Sequence, residues 1–159
     1  MGRSLDIVFM VRPPVSPLVE TKAIWTEQFA PYASPRYLRK NGAPNTLESY
    51  AGHRWIVFDE DLPMHSVWWK KRFGNSPLQG QIACSVASMD EMLALAEDGV
   101  GITVLPDYFV QSALRKDTIV RVDAKHGSVR ATNSIFLAWR KNTIPTTRFT
   151  MTREALLRR

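Results

Sequence analysis

Ser88-Met89-Asp90-Glu91-Met92-Leu93-Ala94-Leu95-Ala96-Glu97-Asp98-Gly99-Val100-Gly101-Ile102-Thr103-Val104-Leu105-Pro106-Asp107-Tyr108 reads, in one run, as helix, tight loop, buried strand and second helix. Ser88 and Glu91 have the spacing of a capping box, in which the hydroxyl accepts from the N–H three residues on and the carboxylate reaches back. Met89, Met92, Leu93 and Ala96 recur at three- and four-residue intervals, so one helical face is apolar. Gly99 supplies the left-handed residue that ends a helix without strain, which predicts a helix of about three turns. Ile102, Val104 and Leu105 form a nearly continuous apolar run, the pattern of a strand covered on both faces. Pro106 suits a first helical turn, where its missing N–H costs nothing.

The same logic extends outward. Asp6–Met10 reads as a strand, Val11–Pro17 as a stiff proline-containing linker, and Glu20–Gln28 as extended chain. Phe29–Ala33 reads as a further strand near a sheet edge, because Pro31 cannot donate to a ladder. Ser34 caps a helix with Pro35 at its first position, Asn41-Gly42 stops it, and Asn45 with Glu48 suggests another capping box. Trp55–Phe58 and Gln81–Val86 read as strands flanking a helix over Ser66–Phe73 that Gly74 ends. A helix from Pro106, strands over Ile119–Val122 and Ser134–Trp139, and a terminal helix over Thr147–Leu157 follow. Alternating strands and helices predict an α/β fold whose mostly parallel sheet is covered on both faces.

Composition narrows the class. The 159 residues, 45% hydrophobic, suffice for one core but are short for two complete domains. Cys84 is the only cysteine, which excludes an internal disulfide and a multi-cysteine zinc site and fits a reducing, cytoplasmic compartment. No apolar run approaches the ~20 residues of a membrane helix, and the N-terminus lacks a signal peptide's apolar core, so no membrane partner is expected. The net charge of +6 is spread over Arg36, Arg39 and Lys40, over Lys70–Arg72, and over Arg158 and Arg159, with Asp59, Glu60 and Asp61 between them. Such dispersal reads as solvated surface rather than a nucleic-acid stripe.

The opening stretch resembles the signature small–x–x–x–x–Leu–x–Leu–x–x–x–Gly–x–Gly–Ile–x–x–Leu–Pro of the effector-binding domain of LysR-type transcriptional regulators. Ser4-Leu5-Asp6-Ile7-Val8-Phe9 resembles that family's Leu-Asp-hydrophobic strand, and Ala30–Leu38 its Ala-Ser-Pro-x-Tyr-Leu lead-in to the second subdomain. Asn45–His53 resembles its x-x-Asp-Leu-x-x-His stretch at Leu47 and His53, departing at Ser49 and Tyr50. These matches occur in family order along nearly the whole chain.

The resemblance implies a three-layer αβα, periplasmic-binding-protein-like (type 2) subdomain with a remnant of its companion. Residues 1–28 correspond to the remnant of the first effector-binding subdomain and a crossover strand, 29–130 to the second subdomain, and 131–159 to the return crossover strand and C-terminal helix. It also implies a chain truncated on its N-terminal side, lacking the winged helix-turn-helix, so that DNA is a partner only through that missing domain. In the family a small-molecule effector sits in the cleft between the two halves.

Ligands of open α/β sheets bind beyond the carboxyl ends of the strands, often at helix N-termini. Pro63-Met64-His65-Ser66 lies where a strand feeds a helix, and the matching family stretch touches effector. Two readings stand for it: Ser66 donates a hydroxyl, His65 a polar ring edge and Met64 an adaptable wall, or Ser66 merely caps its helix and His65 is exposed. Ser88 caps its helix and is a further ligand candidate. Arg12, after the first strand, is either a bidentate partner for an effector carboxylate or an exposed linker arginine. Trp68 and Trp69 are adjacent, so one is expected to pack inward while the other stays partly exposed. Trp25 and Trp139 are expected to pack at the hinge.

An enzyme is not indicated. His53, His65 and His126 lack metal-ligand spacing, and no nucleophile elbow, phosphate loop or dinucleotide fingerprint occurs, so neither cofactor nor metal is expected. Asp59, Glu60 and Asp61 read as a hard-cation site or a solvated loop. Cys84 reads as a small buried hydrophobe. The expected partners are a small organic effector and other subunits, as a homo-oligomer or with full-length regulators. The alternatives are a stand-alone periplasmic-type solute-binding module and a non-DNA-binding interaction fragment that pairs with full-length regulators.

Overall fold

A computed structural model of the chain describes residues 7–11, 15–58, 63–74, 80–124, 127–141 and 146–157. The elements, in order, are β1 (Ile7–Met10), β2 (Val19–Ala33), α1 (Pro35–Asn41), α2 (Leu47–Ala51), β3 (Arg54–Phe58), α3 (Pro63–Phe73), β4 (Gln81–Val86), α4 (Met89–Glu97), β5 (Ile102–Pro106), α5 (Gln111–Arg115), β6 (Val120–Arg121), β7 (Ala131–Arg140) and α6 (Thr147–Leu157). Two compact units result, one of residues 28–132 and one of residues 1–27 with 133–159.

In the 28–132 unit the strand order is β2-β5-β3-β4, with β6 on the free side of β2. β3 runs parallel to β4 and β5, whereas β2 is antiparallel to β5 and β6. The sheet is therefore mixed rather than mostly parallel, because β2 enters against the strands that the helices connect. β2 is also one continuous strand with neighbours on both sides, not an extended segment followed by an edge strand. Pro31 is tolerated because the N–H and C=O of a strand residue share a side. Its carbonyl accepts from Val122 N–H at 2.9 Å, on the β6 side, so the missing donor leaves the β5 ladder intact.

Side chains alternate between the two faces of this sheet, as a two-residue period requires. Phe29 and Ala33, Trp55 and Val57, and Ile102 and Val104 join one core cluster, with Trp68 and Trp69 of α3. Ala30 and Tyr32, Ile56 and Leu105 join the other, with Met92 and Ala96 of α4 and Ala113 of α5. Helix, sheet and helix thus form the three layers the sequence implied. Both Trp68 and Trp69 are buried, which corrects the expectation that one stays exposed: the i, i+3, i+4 stripe of His65, Trp68 and Trp69 faces inward as a unit.

The family-like motifs meet in space. Ser34 caps α1 by accepting from Tyr37 N–H at 3.2 Å, with Pro35 at the first position. The Tyr37 hydroxyl lies 3.0 Å from His53 Nδ1 and accepts the Arg54 N–H at 3.1 Å. α4 closes in a Schellman motif, Gly99 N–H bonding Ala96 O and Val100 N–H bonding Leu95 O, with Gly99 at φ 76°. A Cβ on Gly99 would stand 3.3 Å from Ser34 Oγ, and one on Gly101 only 2.6 Å from the Arg54 carbonyl. Three motifs far apart in sequence thus form one close-packed corner.

Several local expectations shift. The capping box before α2 is Thr46 with Ser49 rather than Asn45 with Glu48, because the Ser49 hydroxyl is what reaches the Thr46 N–H. Pro106 ends β5, paired with Phe29, and a turn separates it from α5. Ser88 forms the hydroxyl half of its box, accepting from Glu91 N–H at 3.2 Å. Cys84 is half-buried, since β4 ends the strand order and packs less completely than β3.

In the other unit β7 pairs antiparallel with β1 from Ile7–Trp139 to Met10–Phe136 and lies beside β2. Trp139 Nε1 donates to Glu20 at 2.8 Å, and Arg153 of α6 stacks on the rings of Trp139 and Phe149. Phe9, Leu18 and Trp25 are 55%, 69% and 59% exposed. Trp25 thus faces solvent rather than packing as expected, because the outward side of this part of β2 has no covering layer among the described residues.

Candidate functional site

The carboxyl ends of β3 and β4 lie side by side, with Phe58 paired to Val86. Phe58, Ser85, Val86 and Ala87 line a depression there. The chain leaving β4 passes through Ala87 to Ser88, which opens α4, so a hydroxyl and a helix N-terminus stand immediately beyond the strand end. The Ser88 oxygen accepts from Glu91 N–H, and a hydroxyl that accepts in this way retains its own proton as a donor.

α3 begins at Pro63, three residues before Ser66, so Pro63–Ser66 is its first turn. Ser66 therefore does not cap the helix; it is an exposed hydroxyl within it. Met64 is half-buried and packs against both core clusters. The side chain of Pro63 lies outside the described residues, as do Arg12, the acidic run Asp59–Asp61 and His126.

His65 is 1% exposed, which overturns the reading of it as an exposed residue. Its ring meets that of Trp55 edge-on, with centroids 5.5 Å apart. Neither ring nitrogen has a hydrogen-bond partner of good geometry. Burial pushes its pKa down to about 3, the Ile56 carbonyl offsetting only part of that effect, so the imidazole is neutral near pH 7. His65 supports the first turn of α3 from within the core.

The two helix N-termini differ electrostatically. The first turn of α4 carries Asp90 and Glu91, which already complement its dipole, whereas that of α3 carries no acidic residue. Within the helices themselves α3 has the less complemented N-terminus, while Asp59, Glu60 and Asp61 precede it in sequence. Among the described residues no cluster of histidine, cysteine, aspartate or glutamate could hold a metal ion. No helix among them is long and apolar enough to cross a membrane.

Phe58, Ser85, Val86 and Ala87 were not singled out from the sequence. The signal was present, since all four are at or next to the ends of strands recognised from their apolar runs. Conversely, the Tyr37–His53 corner is at the opposite end of the sheet, where β3 and β5 begin, so the residues that best identify the family-like pattern build the fold.

Comparison with known proteins agrees with this architecture. The chain is 24% identical over 126 residues to the HTH-type transcriptional regulator CrgA of Neisseria meningitidis, covering 79% of this chain and 42% of that protein. It therefore spans about two fifths of the curated relative's length. Among solved structures, the regulatory domain of CrgA, a LysR-type transcriptional regulator, superposes with a TM-score of 0.75 at 21% identity, covering 97% of this chain and 74% of that one. Full-length AphB of Vibrio cholerae gives 0.77 at 17% identity, covering 97% and 52%. ArgP of Mycobacterium tuberculosis gives 0.77 at 16%, covering 95% and 51%. These likenesses show the fold. The profile described as LysR substrate binding domain matches residues 2–159, and the chain belongs to that family.

Proposed function

We propose that this domain senses a small organic effector on behalf of a cytoplasmic LysR-type transcription regulator and has no catalytic role. The observation that carries the reading is the depression beyond the carboxyl ends of β3 and β4, lined by Phe58, Ser85, Val86 and Ala87, with Ser88 opening α4 directly after it. Phe58 and Val86 line it; in this reading Met64, Ser66 and Ser88 add an adaptable apolar group and two hydroxyls for the effector. The α3 N-terminus takes a polar or anionic group of the effector, and Arg12 is kept as a further ligand candidate of the chain. Residues 1–28 and 131–159 belong in this reading to the first subdomain and its crossover strands, and 29–130 to the second. Binding acts on transcription by favouring one arrangement of an oligomer over another, which requires unequal affinity for the two. DNA is contacted through a domain other than this one.

The test is a thermal-shift screen of small organic acids and their uncharged analogues, repeated with Ser88→Ala and Ser66→Tyr. The account expects ligands that raise the midpoint of the wild type and lose at least about tenfold in affinity, ~1.4 kcal/mol, in Ser66→Tyr. Ligands whose affinity is unchanged in both variants would remove the site from the proposal.

A second reading, an interaction fragment that pairs with other subunits, is favoured by the exposure of Phe9, Leu18 and Trp25. Exposed apolar side chains of this size are candidates for an association surface. Sedimentation across a concentration series tests it, and a monomer at every concentration would remove this second reading.

A further inference from the structure

A second cavity lies at the end of the 28–132 unit where the parallel strands begin. Because β2 runs against β5, the turn from β2 into α1 stands at that end, opposite the depression beside Phe58 and Val86. There α1 and the β6 segment enclose about 460 Å³, with Pro35, Leu38, Val120 and Val122 as apolar walls and Arg39 and Arg121 as its charged residues. Among the described residues no carboxylate lines it. This volume is within the ~300–1,000 Å³ of small-molecule sites, which combine apolar walls with few polar groups.

The two arginines differ in availability. Arg121 is fixed: its Nε and Nη2 donate to the buried Asp123 carboxylate at 2.6 and 3.3 Å, and Nη2 also to the Val129 carbonyl at 3.0 Å. Its charge is thereby compensated. Arg39 is exposed, and among the described residues no hydrogen bond or ion pair engages it. An apolar pocket bordered by one guanidinium that no hydrogen bond or ion pair among the described residues engages is complementary to an apolar body ending in one carboxylate. Arg39 also borders a neighbouring depression lined by Glu97, Asp98 and Asp117, whose charges oppose a second carboxylate.

We propose that this pocket is a second ligand site, distinct from the effector site above, that takes small monocarboxylates with a hydrocarbon or aromatic body. A ligand there bridges α1 to the β6 segment and so braces the Ser34–Tyr37 corner.

The test is an amide-resolved NMR titration of the 159-residue chain with phenylacetate and hexanoate, each to about 10 mM, and with benzyl alcohol and succinate as controls. The expected result is saturable shifts confined to residues 35–43 and 118–124, with both controls at least about tenfold weaker. Arg39→Gln, at an exposed position, weakens both monocarboxylates by a similar factor. Ala43→Trp, also exposed, fills the pocket and abolishes the shifts without loss of the native spectrum. The proposal is overturned if neither monocarboxylate shifts these amides, if the shifts map instead to Phe58, Val86 and Ser88, or if Arg39→Gln binds as well as the wild type.

Discussion

Tyr37→Phe isolates one hydroxyl on which the close-packed corner depends. The ring stays, and with it the contact with His53 at a centroid distance of 5.5 Å. What is lost is the acceptor of Arg54 N–H at 3.1 Å and the partner of His53 Nδ1 at 3.0 Å. Tyr37 and His53 are 3% and 6% exposed, so water reaches this side chain pair poorly. Leaving a buried donor or acceptor unmade costs about 1–3 kcal/mol, and because the two losses share one oxygen they do not simply add. The expected destabilisation is about 2 kcal/mol. With a urea m-value of about 2 kcal/mol/M, the unfolding midpoint falls by about 1 M at unchanged m. The Arg54 amide also exchanges faster with solvent, while those in the middle of α4 change only with global stability. A midpoint shift below about 0.3 M with the m-value preserved would refute the argument, because it would mean that water or a neighbouring group replaces the hydroxyl without cost.

Further outcomes follow from the same structure. His65 has a folded pKa of about 3 against an unfolded value of 6.5, so the unfolded chain binds the extra proton and stability falls as pH drops from 6.5 toward 3. At pH 4 this group alone costs about 3 kcal/mol relative to pH 7, and His65→Phe should flatten the difference in urea midpoint between those pH values. The depressed pKa of His53 acts in the same direction. Gly101→Ala drives a Cβ to within 2.6 Å of the Arg54 carbonyl, backbone that cannot step aside, and is expected to cost about 1–3 kcal/mol in a chemical denaturation curve; an unaltered curve would show that β3 and β5 separate easily. Hydrogen exchange is expected to protect the strands of the 28–132 unit more strongly than β1 and α6, and uniform protection would argue against treating the units separately.

Which parts of this architecture could be read in advance depended on how local their causes are. α1 and α4 were legible because caps and apolar spacing act within a few residues: Ser34 with Pro35, Ser88 with Gly99. β3, β4 and β5 were legible from apolar runs bounded by turn residues. The direction of β2 was not, since strand–helix alternation speaks for the helix-connected strands and is silent about one that enters from the other unit. α3 begins at Pro63 rather than Ser66, because a proline suits a first helical position and no serine cap is then needed there. The burial of His65 could have been found from its spacing to Trp68 and Trp69. For the candidate site, its place beyond the strand ends was readable, and so were the Ser66 and Ser88 hydroxyls. Phe58 and Val86 were not, because an apolar residue ending a strand looks the same whether it faces a core or a ligand. The pairing of Arg39 with a cavity wall drawn from β6 depends on residues about eighty positions apart, a distance no local pattern spans.

The most direct test of the central claim is a crystal structure of this domain with the tightest ligand from the organic-acid screen. The account predicts ligand density against Met64, Ser66 and Ser88, with the anionic group at the N-terminus of α3 and the apolar body over Phe58 and Val86. Density elsewhere, with this depression empty at saturating ligand, would contradict it.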